Sequence, residues 1–299
     1  MTTSVPDALG SVGDYTLLER LAPAGPGDLF RARDTRHGRT VTVRILPESA
    51  ATADPEQAPF LAEARRLARF THPNVTTVFD AGVQGGRAYL VFEFIKGRPL
   101  AAEVSGRPMP ARRAVDLAVQ VADAIAEVHA AGFTRAGISA DAVLVTDKGH
   151  AKIPISALSS ASGFEAGFDA RLRDYRAPEA PAGQEADERS DVYSVGSLLY
   201  EMLTARPFAA GSPAPSAINP AVPKELDVAT LRATALQPDY RYQSLVTMAA
   251  ELRSIAAILD VRDGVADEAA ADANLRLPVL ALAVLGLGAL VAVAWWATR

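Results

Sequence analysis

Ala235-Leu236-Gln237-Pro238-Asp239-Tyr240-Arg241-Tyr242-Gln243-Ser244 joins two segments that read as helices, Lys224 to Ala235 before it and Ser244 to Leu259 after it. A Pro-rich loop, Gly211 to Pro223, separates the first of these from another helix at Asp191 to Leu203. Further upstream, Val115, Ala118, Val119, Ala122, Ile125 and Ala126 mark a long amphipathic helix ending near Ala131-Gly132. Before about Arg112 the period changes. Tyr15 to Leu21, Leu29 to Ala32 and the β-branched run Val41 to Leu46 read as strands, with a Gly/Pro/Ala turn between the first two. Phe60, Ala64, Leu67 and Ala68 predict a helix over Phe60 to Phe70, and two more strands fit Val75 to Asp80 and Tyr89 to Phe94. The layout is α+β: a small sheet with one helix, then a larger helical half, without an internal repeat.

The chain has 299 residues, a formal net charge of −5 and no cysteine. Disulfide frameworks, thiolate zinc sites and cysteine nucleophiles are therefore excluded. The mildly acidic balance, without basic clusters, argues against nucleic-acid binding. His37, His72, His129 and His150 are the only histidines, and their scatter does not suggest a metal site. Met1 to Tyr15 is polar and lacks the apolar core of a signal peptide, so the folded part is expected in the cytoplasm. Leu277 to Ala297 runs without a charge and at ~1.5 Å per residue spans ~31 Å, about one bilayer core. Arg276 flanks it on one side, and Trp295, Trp296 and Arg299 on the other. The expectation is a single-pass inner-membrane (plasma-membrane) anchor, with Gly288 and Ala292 as a weak pointer to a homodimer.

The decisive stretch and Val222-Pro223-Lys224-Glu225-Leu226-Asp227 resemble the closing helices of bacterial eukaryotic-like (Hanks-type) serine/threonine protein kinases. In that family an arginine there pairs with the glutamate of an Ala-Pro-Glu motif, which is present as Ala177-Pro178-Glu179, so Glu179 and Arg241 are the implied pair. Asp191-Val192-Tyr193-Ser194-Val195-Gly196 is similar to the family's central helix, and Glu63 followed by His72-Pro73-Asn74 to its regulatory-helix glutamate and the turn after it. The resemblance covers roughly Asp14 to Leu259. It implies a bilobal kinase-like fold with a β-rich N-lobe (14–95) and a helical C-lobe (96–260); composition and hydropathy add the expectation of a disordered N-terminus (1–13), a polar linker (261–276) and a transmembrane helix (277–297).

At the positions that perform phosphoryl transfer the resemblance fails. The phosphate loop keeps one family glycine, Gly27, but has Ala22 and Ala24 at the other two, with Pro23 and Pro26 removing amide donors. The strand lysine is Arg44, which keeps a charge but not a compact ammonium. The His-Arg-Asp motif becomes Arg135-Ala136-Gly137, in a register set by Ile138, Val143 and Leu144. Gly137 therefore stands for the catalytic carboxylate, Ser139 for the supporting lysine and Ala142 for the metal-binding asparagine. Asp141 sits beside that last position, where an extended chain would turn it away. Asp-Phe-Gly reads Ile155-Ser156-Ala157, and an isoleucine offers magnesium no oxygen. Leu172 replaces the threonine that precedes Ala-Pro-Glu.

The losses fall on chemistry and spare the scaffold residues Glu179, Asp191, Gly196 and Arg241. The expectation is a membrane-anchored pseudokinase: a non-catalytic signalling or scaffolding protein with no metal and no obligatory cofactor. Its expected partners are cytoplasmic signalling proteins or an active kinase. Two alternatives stay open. One is an ATP-dependent kinase with displaced ligands, for which Asp141, Asp147 and Glu63 are the nearby carboxylates. The other is a sensor that binds ATP without metal in a residual cleft of Gly27, Arg44, Glu63 and the backbone around Glu93 to Ile95, with Phe92 behind it.

Overall fold

Val41, Val43 and Ile45 alternate with polar residues along one strand, and that alternation seeds the N-terminal sheet. Six antiparallel strands form it: β1 (Gly10–Val12), β2 (Tyr15–Arg20), β3 (Asp28–Asp34), β4 (Arg39–Ile45), β5 (Val78–Gln84) and β6 (Arg87–Glu93), in spatial order β1-β2-β3-β4-β6-β5. The computed structural model describes residues 9–21, 27–46, 59–132, 137–155, 171–179 and 187–262. Tyr15, Leu17, Ala32, Val41, Val43, Ile45 and Val91 form the sheet's core. The β3–β4 turn is held by Asp34, whose carboxylate accepts from the backbone N–H of Arg36 at 3.1 Å and of His37 at 3.0 Å, and from Arg39 Nε at 3.0 Å.

Two differences from the sequence reading stand out in this half. Gly10–Val12, expected to be disordered, pairs with β2 in register Gly10↔Leu17 to Val12↔Tyr15, because the edge of β2 offers free backbone groups. The strand expected at Val75 to Asp80 begins only at Val78. Val75 instead forms a parallel bridge with Ile153, and Thr76 N–H donates to Ile153 O at 2.9 Å, so their backbone is committed elsewhere. The helix α1 (Pro59–Leu67) lies where Phe60 to Phe70 was expected.

The helical half contains α2 (Leu100–Val104), α3 (Ala111–Ala130), α4 (Glu188–Thr204), α5 (Pro215–Ile218), α6 (Lys224–Ala233) and α7 over 245–262. A small sheet of β7 (Gly97–Pro99), β8 (Leu144–Thr146) and β9 (Ala151–Lys152) lies among them. α5 occupies part of the expected Pro-rich loop. Pro215 presets its first turn, and Asp227 accepts Ser216 N–H at 2.8 Å. α4 is buried from Ser190 to Thr204, the mark of a central helix. Gly196 is what lets it approach α6: a Cβ there would lie 2.6 Å from Ala233 Cβ.

The chain divides into two compact units, Met1–Arg253 and Ser254–Arg299. Of the second, only 254–262 is described, and it is helical. The expected linker beyond its first two residues, and the expected membrane segment at Leu277 to Ala297, lie outside the described residues. Among the described residues no helix is long and apolar enough to cross a membrane.

Candidate functional site

Asp191, on the first turn of α4, holds Gly137 and His129 together. It is 2% exposed and accepts the Gly137 N–H on Oδ1 at 2.7 Å, while His129 Nε2 from α3 lies 2.9 Å from Oδ2. Burial pushes the Asp191 carboxyl up against these two hydrogen bonds, and the hydrogen bond to Asp191 raises the His129 imidazole above its ordinary value. Gly137 has φ +95°, and a Cβ there would sit 3.3 Å from both Leu172 Cδ1 and Ser194 Oγ. Both the backbone angle and the surrounding atoms therefore disfavour a side chain. Arg135 and Ala136 lie outside the described residues.

Ser139, fully buried, leads into a 3-10 turn at Ala140–Ala142. This corrects the extended geometry expected around Asp141. The Ala-Asp-Ala sequence tightens into a turn, with Ala142 N–H donating to Ser139 O at 3.0 Å. Asp141 Oδ2 then lies 4.0 Å from Arg171 Nε. The other two candidate carboxylates are also taken by cations. Asp147 pairs with Lys96 at 2.8 Å, and Glu63 with Arg66 at 3.0 Å.

Ile155 is 1% exposed, with its N–H donated to Thr76 Oγ1 at 2.9 Å. Three residues earlier, Lys152 Nζ donates to Glu93 Oε2 at 2.7 Å and to Val75 O at 3.3 Å. The Glu93 side chain thus ties the end of β6 to β9. Ile95 follows β6 in irregular chain, half-buried. Arg44 is 3% exposed, and burial pushes its guanidinium down to about 10, which leaves it charged at neutral pH. Gly27 has a structural reason for being glycine: at φ +92° a Cβ would fall 2.1 Å from Ile45 O, where the chain passes the end of β4. Ala22, Ala24, Ser156, Ala157 and the loop serines Ser159, Ser160 and Ser162 lie outside the described residues.

Arg241 and Glu179 meet in a two-point ion pair. Arg241 donates from Nη1 to Glu179 Oε1 at 2.6 Å and from Nη2 to Oε2 at 2.8 Å. It also reaches the carbonyls of Ala235, Arg189 and Leu236 at 2.7, 3.0 and 3.1 Å, so a fully buried guanidinium is satisfied at every nitrogen. Sequence reasoning missed a second network. Tyr175 Oη donates to Glu201 Oε2, and Arg171 Nη2 lies 2.7 Å from Glu201 Oε1. Burial and Glu201 push the Tyr175 phenol well above its usual range. Glu201 stands within the apolar run Leu198 to Leu203, and a charge inside such a run was the available signal.

Among the described residues the positions expected to bind magnesium offer it no side-chain ligand. Ala142 and Ile155 carry no oxygen in their side chains, and among the described residues no three His, Asp or Glu side chains converge to hold a metal ion.

The protein kinase domain matches residues 15–250. A probable serine/threonine-protein kinase of Streptomyces coelicolor is 32% identical over 268 residues, covering 81% of this chain and 40% of that protein. The serine/threonine-protein kinase PknL of Mycobacterium tuberculosis is 31% identical over 261 residues, covering 81% of this chain and 65% of its own length. This chain thus spans less than two thirds of either relative. In fold, the crystal structure of the Mycobacterium tuberculosis PknI kinase domain superimposes with a TM-score of 0.63 at 22% identity, covering 85% of this chain and 99% of that one.

Proposed function

Given that the chain belongs to the serine/threonine protein kinase family, we propose that it is a pseudokinase, working as a non-catalytic signalling scaffold rather than as a phosphotransferase. Fold membership alone does not carry activity, which resides in a few side chains. Phosphoryl transfer depends on positioning and on neutralising charge with metal ions and a carboxylate beside the acceptor hydroxyl. One observation carries the reading. The two positions that should hold these groups, Gly137 and Ile155, are anchored by their backbone N–H to Asp191 and Thr76 and present no oxygen to the cleft.

The competing reading, a kinase with displaced ligands, requires two carboxylates facing one metal. Asp141, Asp147 and Glu63 each face a cation instead. The apolar run Leu277 to Ala297 serves in this proposal as the membrane anchor, with the kinase-like lobes on the cytoplasmic side as the docking surface. The test is transfer of labelled γ-phosphate from ATP with magnesium or manganese, to the chain itself and to a general substrate such as myelin basic protein. No transfer above background is expected. Transfer that disappears in Arg44→Ala would overturn the proposal.

A further inference from the structure

Glu103, at the end of α2, holds two arginines at once. Its side chain is 9% exposed, Arg113 Nη2 from α3 lies 2.9 Å from Oε2, and Arg98 Nε from β7 bonds Oε1. One shielded carboxylate thereby fixes two guanidinium groups beside each other and leaves the trio with a net positive charge. Arginines braced in this way lose less rotamer freedom when they bind an anion than free surface arginines do. The same three residues line two adjoining cavities of about 580 Å³ and 650 Å³. Lys148 lines the first, together with Asp147, whose charge is met by Lys96 at 2.8 Å, and Arg107 lines the second. Neither Lys148 nor Arg107 has an ion pair among the described residues. Met109 and Val222, both nearly buried, give the second cavity an apolar floor.

The chain as a whole carries −5, so this concentration of cations runs against its average. The four cations are strung along two cavities rather than aimed at one point. That arrangement suits several single charges on an extended chain better than one dianionic phosphate. We propose that this groove docks an extended acidic peptide segment of a partner protein, with Arg98, Arg107 and Arg113 receiving its carboxylates. The inference goes beyond the scaffold reading because docking here uses nothing in the cleft. Detecting phosphoryl transfer would leave it standing, and failure of docking would leave the inactive cleft standing.

The test is fluorescence anisotropy of a labelled peptide of alternating Glu and Ser titrated with the full chain in detergent, at low and high salt. Binding is expected at low salt, weaker at high salt. Arg107→Glu should weaken it about tenfold or more, whereas Arg65→Glu, an equal change of net charge on exposed α1, should change it less than about twofold. Arg113→Gln, which also frees Glu103, gives a second reading, and the melting temperature of each variant reports whether it is folded. The proposal is overturned if the acidic peptide fails to bind at low salt, or if Arg107→Glu binds as the parent does. It is equally overturned if Arg65→Glu weakens binding as much as Arg107→Glu. Tighter binding of a peptide whose only anion is one phosphoserine would replace the carboxylate assignment.

Discussion

Gly137 and His129 meet at the same buried carboxylate, and each makes a distinct demand on Asp191. Reinstating an acid by Gly137→Asp would place an L side chain at φ +95° against Leu172 and Ser194, and set a second carboxylate near Asp191. The expected outcome is a loss of about 1–3 kcal/mol in urea unfolding and no gain of phosphoryl transfer, since Ala142 and Ile155 still offer no metal ligand. His129 supplies a pH signature. Asp191 raises its pKa, so its contribution to stability is complete below the unfolded imidazole value and is lost as pH rises through the higher folded value. Unfolding free energy measured upward from about pH 6.5 should fall with pH. In His129→Gln that slope should flatten, and an unchanged slope would remove His129 as its source.

At the scale of elements, the Glu179–Arg241 pair fastens the segment before α4 to the turn between α6 and α7. The guanidinium is fully buried and bonded to three carbonyls as well as to the carboxylate, so removing the glutamate strands a charge. Glu179→Ala is expected to cost about 3–5 kcal/mol in urea unfolding. Glu179→Ala combined with Arg241→Leu should cost less than the sum of the two single changes, because the double variant leaves no unpaired charge. This pair was legible in the sequence, since Ala-Pro-Glu and the arginine stretch are both local motifs. The Thr76–Ile155 bond and the Arg171–Glu201 contact were not, because neither Thr76, Arg171 nor Glu201 belongs to a motif that marks its partner. Local periodicity also missed β1 and α5. A three-residue strand and a one-turn helix are too short to show a period, and neighbouring strands, Pro215 and Asp227 decide them.

For the molecule as a whole, the proposed scaffold role requires the fold to hold its shape without a nucleotide. Polar contacts inside the first unit supply that support. Asn74 Nδ2 donates to Gln120 Oε1 on α3 at 2.9 Å and to Ala151 O on β9 at 2.8 Å, and Lys152 reaches Glu93. ATP added together with a chelator is therefore expected to leave the melting temperature unchanged. A rise that grows with nucleotide concentration would instead favour the metal-independent sensor. The sequence by itself determined the family and the order of sheet and helices, and it carries the proposal that catalytic side chains are replaced, because those are properties of local pattern and residue identity. Only the tertiary structure decided that Gly137 hangs from Asp191, that Gly27 is glycine because the Ile45 carbonyl leaves no room for a Cβ, and that three scattered carboxylates each face a cation. Such meetings depend on how elements pack across long stretches of chain, and packing distances leave no trace in local spacing.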